Sequence, residues 1–216
     1  MRNRSKSHPV RGTDYVASTG SYYATEAAAH ILRERGNAID AGVAAGLVIN
    51  VCQPDMAGLG GVAPILIRLG DSGRVHAISG LGGWPALADA ETVRSLGERT
   101  LALGIFRTVV PAAVDAWLTA LAQFGTLSLG EVIEPAIRLA EEGFAVDERY
   151  CESIAHYRRH WFAGMPYNSE YFAIDGRDPE PGEVFRQPAL AQTLRRLRDA
   201  EAARPGVSRS AGIMAA

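Results

Sequence analysis

The 216-residue chain is short of net charge, of cysteine and of long apolar runs, and each shortage excludes something. Its formal charge is only −2 at pH 7. The basic residues are spread over several segments, so the electrostatic footprint of a nucleic-acid binder is missing. The longest charge-free apolar stretch, Ala41 to Cys52, falls short of the ~18 residues that a membrane-spanning helix needs. Neither a nucleic-acid nor a membrane partner is expected. The opening from Met1 to Arg11 is basic but runs into Gly12, Thr13 and Asp14, so no export signal is read and a cytoplasmic location is expected. Two cysteines, Cys52 and Cys151, fit free thiols in the cytosol better than a disulfide, and neither has metal-ligand spacing. No metal and no cofactor is called for.

What the chain does hold is 47% hydrophobic and 21% charged residues, enough apolar material for one good-sized core. Residues 1–13 read as a basic, flexible tail and 14–216 as the folded domain. Tyr15 to Ser18 reads as a short strand. Ala24, Ala27, Ala28, Ile31 and Leu32 then form one apolar helical stripe that ends at Gly36. Asn37, with Asp40 three residues on, caps a second helix that is apolar nearly all round to Cys52 and so belongs in a core. Its small residues, Ala41, Gly42, Ala44, Ala45 and Gly46, allow a neighbour to approach closely, and Pro54 stops it. The runs Ala63 to Leu69 and Arg74 to Ser79 flank the turn signal Gly70-Asp-Ser-Gly73, predicting a β-hairpin covered on both faces and hence a layered α/β architecture.

Further on, Pro111 is placed as a first helical residue, followed by Val114, Trp117, Leu118 and Leu121 at helical spacing. Ser128-Leu-Gly-Glu131 is a capping box, with Leu127 and Val132 as a hydrophobic staple, and Gly143 closes that helix. Helices are also predicted after Asp147, with Tyr150, Ile154, Tyr157 and Trp161 on one face, and after Pro188. Between them, 164–187 reads as a surface excursion. The segment after Arg204-Pro-Gly206 begins what reads as another helix, and the chain stops within it, an expectation of truncation.

No candidate site built from these residues runs a reaction alone. Gly58-Leu-Gly-Gly61 lacks the Lys-Ser/Thr of a phosphate-binding loop and reads as a tight turn. His156 and His160 lie four apart on a helix, with no third metal ligand, and read as an exposed face. No Gly-x-Ser-x-Gly nucleophile turn is present, Thr126 reads as a turn residue, and Glu141-Glu142 as a solvated pair. No catalytic residue is assigned.

Ordered motifs change that reading. Val16-Ala-Ser18, the run from Ala24 through Arg35-Gly-Asn-Ala-Ile-Asp-Ala-Gly-Val-Ala-Ala45, and Gln53-Pro-Asp-Met-Ala-Gly-Leu-Gly-Gly61 closely resemble the opening of the γ-glutamyltranspeptidase family. The resemblance continues through Val110 to Trp117, Phe124 to Leu129 and Pro135 to Phe144, less strongly through Leu190 to Leu197, and covers nearly all of the chain from Tyr15. It implies an N-terminal-nucleophile hydrolase, an αββα sandwich made as a precursor that cuts itself into a large and a small subunit. The implied nucleophile is a threonine freed at the start of the small subunit, its own α-amino group serving as base. That threonine and the oxyanion donors lie beyond these residues, so the fold expected here is an incomplete, large-subunit portion, and the expected partners are the half carrying the nucleophile and a small amide substrate.

The resemblance places one substrate-binding stretch within the chain, at Gly80, Leu81, Gly82, Gly83 and Trp84. Transpeptidases of the family place there an arginine that pairs with the α-carboxylate of the γ-glutamyl group, and an ungapped comparison puts Leu81 at that position. Leucine cannot replace a bidentate charged pair worth ~1.5–3 kcal/mol, so an uncharged or aromatic acyl group is expected. Gly60-Gly61-Val62-Ala63 also departs from the family's run of three or four glycines. The implied function is amide cleavage by γ-glutamyl or other acyl transfer or hydrolysis. The alternative is a non-catalytic, truncated pseudoenzyme or assembly subunit.

Overall fold

A computed structural model describes residues 10–34, 36–86, 88–95 and 108–216. Residues 1–9 of the expected tail lie outside the described residues. Local sequence signals account for most of the elements. Helix α1 (Tyr22–Arg33) buries Ala24, Ala27, Ala28 and Ile31, the predicted stripe. Helix α2 (Ala38–Cys52) starts in a capping box: Asn37 Oδ1 accepts from the amides of Ile39 and Asp40, and Asp40 Oδ2 accepts from the amide of Asn37. Most of its apolar circumference is covered, because α1, α4 (Ala113–Phe124) and α5 (Leu129–Glu142) all pack on it. The small residues matter where α4 meets α2: a Cβ on Gly46 would lie 2.5 Å from the Trp117 ring. Helix α5 begins at the Ser128/Glu131 capping box and ends at Gly143, whose φ of +90° suits glycine.

Strands β1 (Ile65–Arg68) and β2 (Val75–Ile78) pair antiparallel, Ile65 opposite Ile78, as the hairpin signal predicted. The pair is covered on one face only, contrary to the expectation. Ile67 is buried, but Leu66 is 77% and Val75 65% exposed. The continuous apolar runs thus conceal a half-buried strand alternation. The short helix α3 (Ala90–Ser95) buries no side chain.

Tyr15–Ser18 forms no strand, because no neighbouring backbone among the described residues offers it a ladder; Tyr15 and Val16 stay exposed. Pro111 stands two residues before α4 rather than at its first position, since the amides of Ala112 and Ala113 are both taken by the carbonyl of Gly61. The stretch 164–187 holds more structure than a surface excursion. A 3-10 turn (Phe162–Gly164) leads into α7 (Pro166–Tyr171), and β4 (Val184–Phe185) pairs with β3 (Phe144–Ala145). Helix α6 (Glu148–His160) precedes this stretch, capped by Asp147, which accepts from the amide of Tyr150; α8 (Pro188–Ala202) follows it and packs on α5. On α6, Tyr150 and Ile154 are buried, while Trp161 stacks on Tyr157 and stays 46% exposed.

Gln187, unnoticed in the sequence, is 2% exposed and ties three segments. Its amide nitrogen donates to the Val51 carbonyl, its side-chain oxygen accepts from Tyr171, and its backbone amide donates to Ala140. The chain reaches α9 (Arg209–Ile213) after the Pro-Gly turn, and α9 packs on α4 and α8.

Candidate functional site

The stretch 79–84 follows β2 directly and, among the described residues, is held by backbone hydrogen bonds. The carbonyl of Gly80 accepts from the amide of Ala63 at 2.9 Å, and the carbonyl of Gly83 accepts from the amide of Val110 at 2.8 Å. Gly80 and Gly82 have φ of +54° and +73°, which L side chains rarely adopt. Space enforces the same choice: a Cβ would stand 2.1 Å from the Ala63 carbonyl oxygen at Gly80 and 1.8 Å from that of Val110 at Gly82.

Leu81 lies between these two fixed glycines, 53% exposed, and Trp84 is 51% exposed. Three segments converge here, because the carbonyl of Gly61, in the turn closed by the Gly61 amide on the Gly58 carbonyl, also holds the start of α4. Gly58–Gly61 is therefore the tight turn that was expected, with a bracing role the sequence did not reveal. Val62 and Val110 flank the loop, 46% and 51% exposed. The result is an uncharged surface. No residue from Ser79 to Trp84 carries a charge, so the stretch can bind by shape, apolar area and backbone groups and not by ion pairing.

The remaining sequence candidates are not drawn to this loop. His156 and His160 are exposed on α6, their rings 4.6 Å apart, and no group of three His, Cys, Asp or Glu side chains able to hold a metal is found among the described residues. Glu141 forms an ion pair with Arg195. Cys52 and Cys151 are free. No helix among the described residues is long and apolar enough to cross a membrane.

Thr126 serves structure at the other end of α4. Its hydroxyl donates to Asp40 Oδ2 at 2.6 Å, and its amide and that of Leu127 donate to Asp40 Oδ1 at 2.9 and 3.2 Å. From the opposite side, the Arg209 guanidinium donates to the carbonyls of Leu121, Ala122, Gly125 and Leu127. Neither role carries a local signal, since each partner is more than eighty positions away.

The fold matches solved structures of N-terminal-nucleophile hydrolases. The γ-glutamyltranspeptidase of Helicobacter pylori superposes with a TM-score of 0.81 at 29% identity, over 88% of this chain and 56% of that one. A cephalosporin acylase from Bacillus halodurans gives 0.76 at 26% identity, over 100% and 46%. Residues 24–204 match the family model described as gamma-glutamyltranspeptidase, and the chain belongs to that family, corresponding to the N-terminal portion of the large subunit. Among curated relatives, the glutathione hydrolase-like YwrD proenzyme of Bacillus subtilis is 34% identical over 189 residues, 86% of this chain and 35% of its own length. The acylase ACY 1 proenzyme of Pseudomonas sp. strain SE83 is 40% identical over 148 residues, 64% and 26%. The chain thus spans a quarter to about a third of the length of these relatives.

Proposed function

We propose that the protein works as part of an amide-cleaving acyl-transfer or hydrolysis enzyme, and that its 79–84 loop receives an uncharged or aromatic acyl group rather than a γ-glutamyl group. The nucleophile, a threonine whose own α-amino group acts as base, is supplied by a polypeptide outside these residues. The observation that carries the reading is Leu81, half-exposed between two glycines whose conformations and contacts leave the loop almost no room to rearrange. A γ-glutamyl donor brings a carboxylate that needs a fixed cation. The residues whose amides hold the loop, Ala63 and Val110, are uncharged too. Similarity to an acylase proenzyme supports the same choice. Two unpaired thiols suit a reducing, cytoplasmic compartment.

The test is the complete gene product with whatever polypeptide supplies its nucleophile, assayed on a γ-glutamyl anilide and on simple aliphatic and aromatic acyl anilides. The expected preference is for acyl anilides in kcat/KM, with Leu81→Arg shifting it toward γ-glutamyl by ~10-fold or more, the scale of one charged hydrogen-bond pair. A strong γ-glutamyl preference in the unaltered enzyme would overturn the reading.

A further inference from the structure

A second cavity, of about 170 Å³, opens where the start of α1, the end of α2 and the start of α6 meet. It shares no lining residue with the 79–84 loop. Asp55 lines it with a side chain of 0% exposure, and both carboxylate oxygens lack a hydrogen-bond partner among the described residues. Its nearest cation, Arg149 Nη2, stands 3.9 Å away on a side chain that is half exposed. Tyr150 contributes a second orphan, a buried hydroxyl oxygen with no partner. A buried, unsatisfied carboxylate is among the costlier features a fold can carry. Burial pushes the Asp55 carboxyl upward, against the smaller opposing pulls of Arg149, of its own backbone amide and of the nearby Ser153 hydroxyl.

The walls indicate what would satisfy it. Tyr22, Tyr23, Phe144 and Tyr150 form a continuous aromatic series, with ring centroids 4.0, 5.9 and 6.4 Å apart in that order. Burial raises the phenol of Tyr150 and the thiol of Cys52, so both are neutral at pH 7. Asp147 adds a second carboxylate at the rim, leaving the charged lining residues, Asp55, Asp147 and Arg149, one negative charge in excess. A divalent metal calls for several hard ligands, and no such group exists among the described residues. An ammonium group matches this chemistry: it carries the counter-charge, offers N–H donors of the kind the Asp55 and Tyr150 oxygens lack, and is attracted to aromatic rings.

We infer that this cavity is a binding site for a small primary ammonium ion, with Asp55 as its anion and Tyr150 as a second acceptor. The inference is independent of the proposed reaction. It is tested by calorimetric titration of the purified full-length gene product with ethylammonium chloride, against sodium chloride and tetramethylammonium chloride at matched ionic strength. The expected result is saturable one-to-one binding of ethylammonium, at least 10-fold tighter than of tetramethylammonium, which has no N–H to donate. Asp55→Asn should weaken it at least 10-fold, and Tyr150→Phe several-fold. Ethylammonium binding no tighter than sodium or tetramethylammonium would mean that the cavity holds water only, and would overturn the assignment without any variant. Unchanged affinity in a folded Asp55→Asn protein would overturn it as well.

Discussion

The two ends of α4 are held in opposite ways. At its C-terminal end the turn 125–127 is gripped by charge: Asp40, fully buried, takes two amides and a hydroxyl, and Arg209 takes four carbonyl groups from within and around it. At its N-terminal end the 79–84 loop is held, among the described residues, by backbone bonds to Ala63 and Val110, and its Leu81 and Trp84 side chains are half exposed. In this turn the amides of Thr126 and Leu127 are spent on Asp40 and the carbonyls of Gly125 and Leu127 on Arg209, which leaves little to offer a ligand. A loop whose shape is set by glycine contacts can present Leu81 and Trp84 without moving. The difference separates a structural joint from the loop proposed here for recognition, at opposite ends of one helix.

The contrast can be broken from either side. The largest effect is expected from Asp40→Ala, which removes a fully buried carboxylate and leaves the partly buried amides of Asn37, Thr126 and Leu127 without their acceptor. Losing a buried, multiply bonded carboxylate should cost about 3–5 kcal/mol in denaturant unfolding. A cost below ~1 kcal/mol would show that the turn is not held by this residue. A smaller loss is expected from Gly82→Ala, where an L residue meets both a positive φ and the Val110 carbonyl. Strain of about 1–3 kcal/mol should appear in stability together with lowered kcat/KM of the complete enzyme. A stable, fully active variant would remove the claim that glycine fixes the loop. The smallest is expected from Leu81→Ser, within about 0.5 kcal/mol for an exposed side chain. If that substitution destabilised as Asp40→Ala does, Leu81 would be part of the core rather than of a binding surface.

Much of the fold is legible in the residues. Both capping boxes, Asn37/Asp40 and Ser128/Glu131, form as their spacing requires, because donor and acceptor lie within one turn of chain. The hairpin is legible for the same reason, its register following from the Gly70–Gly73 turn. The candidate loop was legible only through family resemblance; glycines at 80, 82 and 83 say that the chain turns, and nothing about what they touch. Tyr15–Ser18 reads as a strand by composition and fails as one, since a strand is completed only by a neighbour.

The sequence by itself therefore determined the helices, their apolar faces, their caps and the uncharged character of 79–84, all properties of residues a few positions apart. Tertiary structure decided which polar groups are spent and which are spare. Asp40 proved to be a cap and also the anchor of a turn 86 positions away. Gln187 became a buried clasp reaching back to Val51, and Asp55, unremarkable in Gln53-Pro-Asp, became a buried carboxylate facing Arg149 at the start of α6. Hydrogen bonds, ion pairs and desolvation act through space, over distances that sequence separation does not encode.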